Sequence, residues 1–575
     1  MNMQPPRAHC ATTLLMCAAA LGPAPIKAQS LGEQIDQQQQ RLQRELEQQQ
    51  RRNQPQAPTI NTPAPARTTG ELPDSEAPCF AIQHIQLSGD EAPNFEWALA
   101  AANDHQGQAD PFAAKCIGAS GINILMGRVQ NAIIERGYVT TRVVAPPQDV
   151  SKGLLTLQLI PGRVAATQID AQPPSAMRAH NALALRAGEL LNVRDIDQSL
   201  ENLKRVPNAD AAIDIQPAAN PAPGLSDLHI SYQQNKAWRV NLGLDNAGSE
   251  GTGVYQSSAT FSADNWLGLQ ELIYLSVNRS LGGEAPGPDH TQGQTLHFSV
   301  PWGYNMLELT TSRSDYAQTV AGLNTDIVYA GESTNTDLTL SRIIYRDQRA
   351  KTKLSLGAFA RSSRSYIDDL EVEVQRKATG GWQLGLSHES SFDGGKWQAG
   401  VNYKRATGAF GSLSDPGEAF GETNSRFRLL STTLGVQKDF KAWGRTWKAS
   451  SAWRAQWYGT RLTNNDLFAI GGRYTVRGFD GQRSLSAEAG WLWRNEIGFD
   501  ALPEALHVYA ALDAGRVRGP SAETLAGRQL IGAALGVRGK YKDLHYDLSL
   551  GAPVNKPQAF RTKTPTLAFS LSYSF

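Results

Sequence analysis

A chain of 575 residues with 41% hydrophobic content exceeds one ordinary domain. Its net charge of +1 and the lack of any basic stripe exclude the electrostatic footprint of a nucleic-acid binder. The absence of a run of 18 apolar residues after the N-terminus excludes a helical membrane span, but not a membrane barrel, whose alternating strands leave average hydropathy unremarkable.

Residues 1–28 read as a secretory signal. Arg7 supplies the positive region, residues 11–21 the apolar region, and Ile26-Lys27-Ala28 the cleavage site before Gln29. Cys10 and Cys17 leave with this segment. The remaining cysteines, Cys79 and Cys116, face a compartment that permits oxidation, and they are expected to form a disulfide. In the chain-entropy model that closure contributes roughly 3–4 kcal/mol. Within residues 29–52, Leu31, Ile35, Leu42 and Leu46 share one narrow helical face among Gln, Glu and Arg. Such a helix over 31–51 would be about 31 Å long, near the thickness of a bilayer core. A short coiled coil or a glutamine-rich disordered segment fits the same pattern. Residues 53–78 carry six prolines and no apolar period, which predicts an extended, mobile linker.

From Cys79 the texture becomes globular. Residues 80–87 alternate as a strand, and 122–136 form an amphipathic helix ended by Gly137. Strands follow at 138–145 and 154–160, with Pro161-Gly162 as the stop. The order then repeats: a strand at 164–169, a helix face of Ile196, Leu200 and Leu203, and strands at 212–215 and 225–232. Two units, 79–163 and 164–233, therefore share one order of elements.

Between 236 and 575 the period is two. Trp238, Val240, Leu242 and Leu244 alternate with polar or small residues, as do Leu544, Tyr546, Leu548 and Leu550. The last segment sets Leu567, Phe569, Leu571, Tyr573 and Phe575 against Ala and Ser. Alternation sustained to a terminal aromatic predicts lipid outside and water inside, in a barrel of about sixteen strands. A barrel of that size leaves an aqueous lumen unless something fills it.

One stretch interrupts the strands: Gly471-Gly472-Arg473-Tyr474-Thr475-Val476-Arg477-Gly478-Phe479-Asp480-Gly481. Glycine at this density lets backbone turn tightly and approach other groups closely. Arg477, between Val476 and Gly478, reads as a fixed charge on a folded-back loop over 464–485. In 506–515 the apolar set is Leu506, Val508, Ala510, Leu512 and Ala514, which places His507, Tyr509 and Asp513 on the lumen face. An aspartate facing lipid would be costly.

These residues carry a resemblance. Arg136-Gly137-Tyr138-Val139-Thr140-Thr141-Arg142 followed by Pro161-Gly162-Arg163-Val164 resembles the first POTRA domain of two-partner secretion transporters, and Gly224-Leu225-Ser226-Asp227-Leu228 the close of the second. Val476-Arg477-Gly478-Phe479 is similar to the motif on that family's sixth extracellular loop. Tyr509, Asp513 and Gly515 match the strand pattern whose aspartate meets the loop arginine. The chain thus resembles the TpsB-type exporters of the haemolysin-activator and filamentous-haemagglutinin group in the Omp85-like superfamily. The resemblance implies an all-β transmembrane barrel preceded by two small α+β POTRA domains and an N-terminal plug helix, lodged in the outer membrane of a Gram-negative bacterium. It implies an unfolded exoprotein, bound through its N-terminal secretion domain, as partner. Outer-membrane lipid and the barrel-assembly machinery are further expected partners, the latter meeting the terminal strand marked by Phe569, Tyr573 and Phe575. Haemolysin, adhesin and contact-dependent toxin all remain open as cargo.

Three rival classes are less well served. A barrel hydrolase lacks HExxH, GxSxG and GxxxxGK, and His388-Glu389 has no second histidine. A passive porin needs no periplasmic units. A barrel-assembly insertase of the BamA type usually carries more POTRA domains and no mobile helix on a proline linker. Neither a cofactor nor a metal is expected.

Overall fold

The computed structural model describes residues 70–74, 76–173, 180–219, 222–282, 289–321, 325–503 and 505–575. The expected signal segment, the helix over 29–52 and the linker up to residue 69 lie outside the described residues.

The first unit is built from β1 (His84–Ser88), α1 (Ala119–Glu135), β2 (Arg142–Val144) and β3 (Leu154–Ile160). The sheet order is β1-β3-β2, with β1 parallel and β2 antiparallel to the central β3. Leu125, Val129 and Ile133 recur at helical spacing and bury completely or nearly so against Leu155, Leu157 and Leu159, which alternate on β3. Two strands are shorter than expected, because 80–83 and 138–141 serve as connections and make contacts to neighbours instead. A helical turn at Ala92–Phe95 and a 3-10 segment at Glu96–Asn103 were not anticipated. Helix α1 ends before Gly137, whose φ of +98° and N–H bond to Ile134 O (2.8 Å) form the expected left-handed stop. Cys79 and Cys116 are joined, with Cα atoms 5.3 Å apart, beside the Phe80–Ile117 bridge.

The end of the expected linker is part of this domain. Leu72 is buried, and its N–H donates to Asp110 Oδ2 at 3.0 Å. The Glu76 carboxylate accepts from the N–H groups of Gly118, Ser120 and Gly121 at 2.6, 3.0 and 2.8 Å, satisfying donors at the N-terminus of α1.

The second unit repeats the topology: β4 (Arg163–Gln172), α2 (Val193–Lys204), β5 (Ala209–Pro217) and β6 (Leu225–Gln234), in order β4-β6-β5. The two units interlock through the residues that carried the resemblance. A Cβ on Gly137 would lie 2.2 Å from Asn192 Oδ1, the atom that caps α2 through Arg194 N–H at 2.8 Å. Gly162 N–H donates to Thr141 Oγ1 at 3.0 Å, and Arg163 pairs with Glu91.

Sixteen antiparallel strands close the barrel: β7 (Trp238–Asp245), β8 (Gln256–Asp264), β9 (Leu272–Ser280), β10 (His290–Trp302), β11 (Asn305–Ala321), β12 (Asp326–Arg346), β13 (Ala350–Ile367), β14 (Lys377–Phe392), β15 (Gly395–Thr407), β16 (Arg428–Ala442), β17 (Arg445–Tyr458), β18 (Ala489–Leu502), β19 (Leu506–Arg518), β20 (Gln529–Tyr541), β21 (Leu544–Asn555) and β22 (Thr566–Ser574). Strand β22 pairs with β7 through five registered residues, against eight in each flanking pairing. Leu242, Leu275, Leu384, Leu434, Leu512 and Leu567 are exposed on the outer face, the band that period-two alternation requires.

Helix α2 has its apolar face on its own sheet, as expected, but its polar face is buried too. That face docks on the periplasmic turns of the barrel. Glu201 accepts from Arg346 at 2.9 and 2.8 Å and from Lys351 at 3.2 Å, while Arg346 also donates to Gln198 at 2.9 Å. Asn202 donates to Gly303 O at 2.7 Å, and Arg205 to Ser299 Oγ at 2.7 Å. A buried ion pair offsets its desolvation only when its remaining hydrogen bonds are met, and here several are.

Tyr304, in the turn between β10 and β11, donates its hydroxyl to Asp195 of α2. Burial pushes the Asp195 carboxyl up to about 6, against the Tyr304 hydrogen bond, which favours the charged form; Glu189 raises it further and Arg346 opposes. A folded-state pKa above the unfolded value means that the docked state holds its proton more tightly. The associated stability is complete below about pH 4 and is lost as pH rises through about 6, a change of about 2 kcal/mol after allowing for partial exposure. Thermal unfolding of the periplasmic region should therefore shift to lower temperature between pH 4 and 7, and Asp195→Asn should flatten that part of the profile. An identical slope in the variant would assign the pH dependence elsewhere.

Candidate functional site

After β17 the chain turns into the lumen. A two-stranded ribbon, Phe468–Ile470 against Leu485–Ala487, carries the glycine-rich stretch at its tip. Gly478 needs its hydrogen side chain, because at φ +95° a Cβ would meet Ala552 O at 2.4 Å. Val476 and Phe479 are almost wholly buried, packed in a cluster with Ile470, Leu492, Val517 and Phe560. Burying these apolar groups fixes the tip and aims the residue between them, Arg477, at the wall.

Arg477 meets Asp513 as a fork: Nε donates to Oδ2 at 2.7 Å and Nη2 to Oδ1 at 2.8 Å. Its own backbone N–H adds a third bond to Oδ2 at 3.0 Å. Asp513 is fully buried on β19, and the guanidinium is 12% exposed. Nη1 donates to Glu496 Oε2 of β18 at 2.6 Å, and Nη2 also donates to Asn495 O at 3.0 Å. Glu496 pairs in turn with Arg538 of β20, and Arg494 Nε lies 3.7 Å from Asp513. Two carboxylates thus face a guanidinium held against two adjacent strands, with two more arginines beside it.

The structure brings Val476, Arg477, Gly478, Phe479, Asp513 and Gly515 together. A Cβ on Gly515 would meet Ile470 Cγ2 at 2.9 Å and Val476 Cγ2 at 3.3 Å, so this glycine makes room for the loop core. Tyr509 and His507 share the lumen face with Asp513, with Tyr509 donating to Asp547 at 2.8 Å and His507 paired to Asp500 at 2.7 Å. Tyr573 and Phe575 pack at 4.7 Å on the outer rim, and Phe575 N–H donates to Val240 O at 2.9 Å. Phe569 lies higher on β22, 6.1 Å from Tyr255. Leu31, Ile35, Leu42 and Leu46 fall outside the described residues. Sequence reasoning missed Glu496. Alternation could have found it, because Trp493 and Ile497 point outward and leave Arg494 and Glu496 inward.

A closed sixteen-strand barrel with a loop locked in its lumen and two POTRA units before it, the second seated on its periplasmic turns, is an outer-membrane transporter. The family follows from comparison with known proteins: the chain belongs to the haemolysin secretion/activation protein family ShlB/FhaC/HecB, whose model matches residues 224–539. Models for the ShlB-type POTRA domain and a further POTRA domain match 80–162 and 163–217. The outer membrane transporter CdiB-2 of Burkholderia pseudomallei (strain 1026b) is 31% identical, covering 98% of this chain and 97% of the relative. The hemolysin transporter protein HpmB of Proteus mirabilis is 24% identical over 98% of this chain and 99% of its own length. Among solved structures, CdiB from Acinetobacter baumannii superposes with a TM-score of 0.80 at 27% identity, covering 94% of this chain and 98% of that one. The protein is accordingly a two-partner secretion transporter of the outer membrane, with its POTRA domains in the periplasm, and the insertase alternative is set aside.

Removing one partner of the Arg477–Asp513 pair strands the other charge away from bulk water, at a cost of about 3–5 kcal/mol, whereas a fully wetted pair would be worth only about 0–1 kcal/mol. Arg477→Ala or Asp513→Ala should detach the tip from the β18–β19 wall and sharply lower export, with heat-modifiable migration showing that the barrel still assembles. Exchanging the charges, Arg477→Asp with Asp513→Arg, should recover part of the loss. Normal export by both alanine variants would show that the loop is held by other contacts, and the pairing would have to be dropped as its lock.

Proposed function

We propose that the POTRA units receive the unfolded N-terminal secretion domain of one exoprotein by strand addition at a free sheet edge, and that the chain then passes through the lumen in extended form. Edge strand β5 offers nine residues of backbone for this, and β4 offers those beyond Val164, whose N–H and C=O are already paired with Glu189 and Gly188. The observation that carries the reading is the docking of α2 on the barrel turns, which fixes this sheet beside the periplasmic mouth of the lumen. The helix over 29–52 acts as a removable plug, and the lumen opens when it leaves. The sequence holds no nucleotide-binding motif, so folding of the cargo outside supplies direction. The cargo is of the class served by the CdiB transporters rather than that of the haemolysin transporters, in keeping with the higher identity to CdiB-2 than to HpmB. The exposed aromatic rim of Tyr573 and Phe575 meets outer-membrane lipid, and the terminal strand is the segment handed to the barrel-assembly machinery.

Export can be followed by co-expressing the transporter with a candidate exoprotein of the two-partner class. Deleting residues 79–163 should abolish secretion while the barrel remains in the membrane; continued secretion would move recognition into the barrel. Deleting residues 31–51 should raise ion conductance in planar bilayers without impairing assembly. Unchanged conductance would place that helix outside the lumen.

A further inference from the structure

The loop carries charged anchors besides Arg477. On its incoming limb, the Asp466 carboxylate is 3% exposed. It accepts from Lys404 Nζ at 2.8 Å, from Arg361 Nη1 at 3.3 Å and from Thr463 Oγ1 at 3.1 Å. The Lys404 ammonium is itself enclosed, 4.2 Å from the centroid of Phe359 and 5.4 Å from that of Phe427. At the tip, Arg473 donates to Phe569 O at 3.2 Å and to Asn246 Oδ1. Asn246 in turn bonds Leu567 O at 2.8 Å and Phe569 N–H at 2.9 Å, beyond the point where β7 and β22 stop pairing. On the outgoing side, Asp480 accepts from Lys563 N–H at 2.7 Å, and Gln482 from Glu250 N–H at 3.1 Å.

The topology gives these contacts their meaning. Arg361 stands on β13 and Lys404 on β15, the seventh and ninth barrel strands, whereas Asn246 and Phe569 flank the closure between the first and the sixteenth. In a ring of sixteen these positions are opposite. Arg477 is fixed to the twelfth and thirteenth strands, on one side between them. The seven-residue step from Asp466 to Arg473 can reach at most about 25 Å, and its middle, Phe468–Ile470, is extended and paired with Leu485–Ala487.

We infer that the loop is a strut spanning the lumen, and that Asp466 and Arg473 are positioning residues that hold its two ends. At one end a buried carboxylate is locked between two cations of the far wall. At the other, Arg473 clasps the barrel's shortest neighbouring interval of pairing, where side chains replace the backbone ladder. Breaking the Arg477–Asp513 pair then frees one side of the loop but leaves both ends attached, and passage of cargo requires an end to let go as well. This inference rests on the reading of the loop as the element that narrows the lumen.

The test places a reporter cysteine at Ser484, clear of all three anchors, and measures its labelling by a membrane-impermeant maleimide in intact cells, together with export. Lys404→Met combined with Asp466→Asn removes the far anchor without stranding the acid. With Arg477 intact, labelling should rise about tenfold, the size of an ordinary coupling, and export should fall. Arg473→Gln should raise labelling from the other end, and Lys404→Arg should keep wild-type values. Wild-type labelling in both the paired variant and Arg473→Gln, with a clear rise in Arg477→Ala, would overturn the strut and leave the single lock standing. No rise in Arg477→Ala either would remove the lumen-lock reading itself. If the paired variant fails to assemble, by heat-modifiable migration, the Arg473→Gln arm decides.

Discussion

The structure depends on keeping a peptide loop folded inside a barrel that would otherwise fill with water. Such a loop can stay only if its backbone groups are paired and its contacts outweigh the entropy of ordering it. Val476 and Phe479 supply apolar burial, and Gly478 allows the backbone to lie against Ala552. Burial then changes the electrostatics of Arg477. A guanidinium shielded from water interacts with Asp513 and Glu496 far more strongly than a surface pair would, and two carboxylates on neighbouring strands suit its planar fork. The apolar cluster and the ion pair therefore reinforce each other.

The periplasmic half obeys a similar logic. From Leu72 to the barrel, each junction is closed by specific contacts: Glu76 on the start of α1, Gly137 under Asn192, Gly162 on Thr141, and α2 on the barrel turns. A rotation of one unit against the next must break named bonds. Of the residues that signalled POTRA domains, Val164 and Leu228 lie in the second core, while others serve the junction. Gly137, Thr141 and Gly162 sit at the seam between units, where only a small residue or a short hydroxyl fits.

Much of this was legible in the sequence, for reasons that differ by element. Sixteen strands follow from alternation, because a membrane barrel cannot place a charge outward without cost. The same rule put Asp513, Tyr509 and His507 inside. Glu496 obeys that rule as well, yet it was overlooked because Arg477 already had a partner. The polar face of α2 was legible only as a solvated surface. Ion pairs such as Glu201–Arg346 join residues 145 apart, and no local period reports them. Residues 70–78 read as linker because their proline content hides one buried leucine and one capping glutamate.

The uneven pairing around the barrel suggests why the loop has to reach so far. Strands β11 to β13 register over long runs, and side-chain pairs such as Ser314–Ser333 and Arg313–Glu332 add to the backbone ladder there. The closure between β22 and β7 has only five registered pairs. Above them, the polar groups of Leu567 and Phe569 are satisfied by the Asn246 amide and the Arg473 guanidinium. In hydrocarbon an unpaired backbone group costs several kcal/mol, so the upper part of the closure is safe only while those side chains stay in place. Arg473 belongs to the loop, which makes the integrity of the closure and the position of the loop one coupled quantity. A barrel whose first and last strands paired along their full length would not need that coupling, and its loop could move without consequence for its wall.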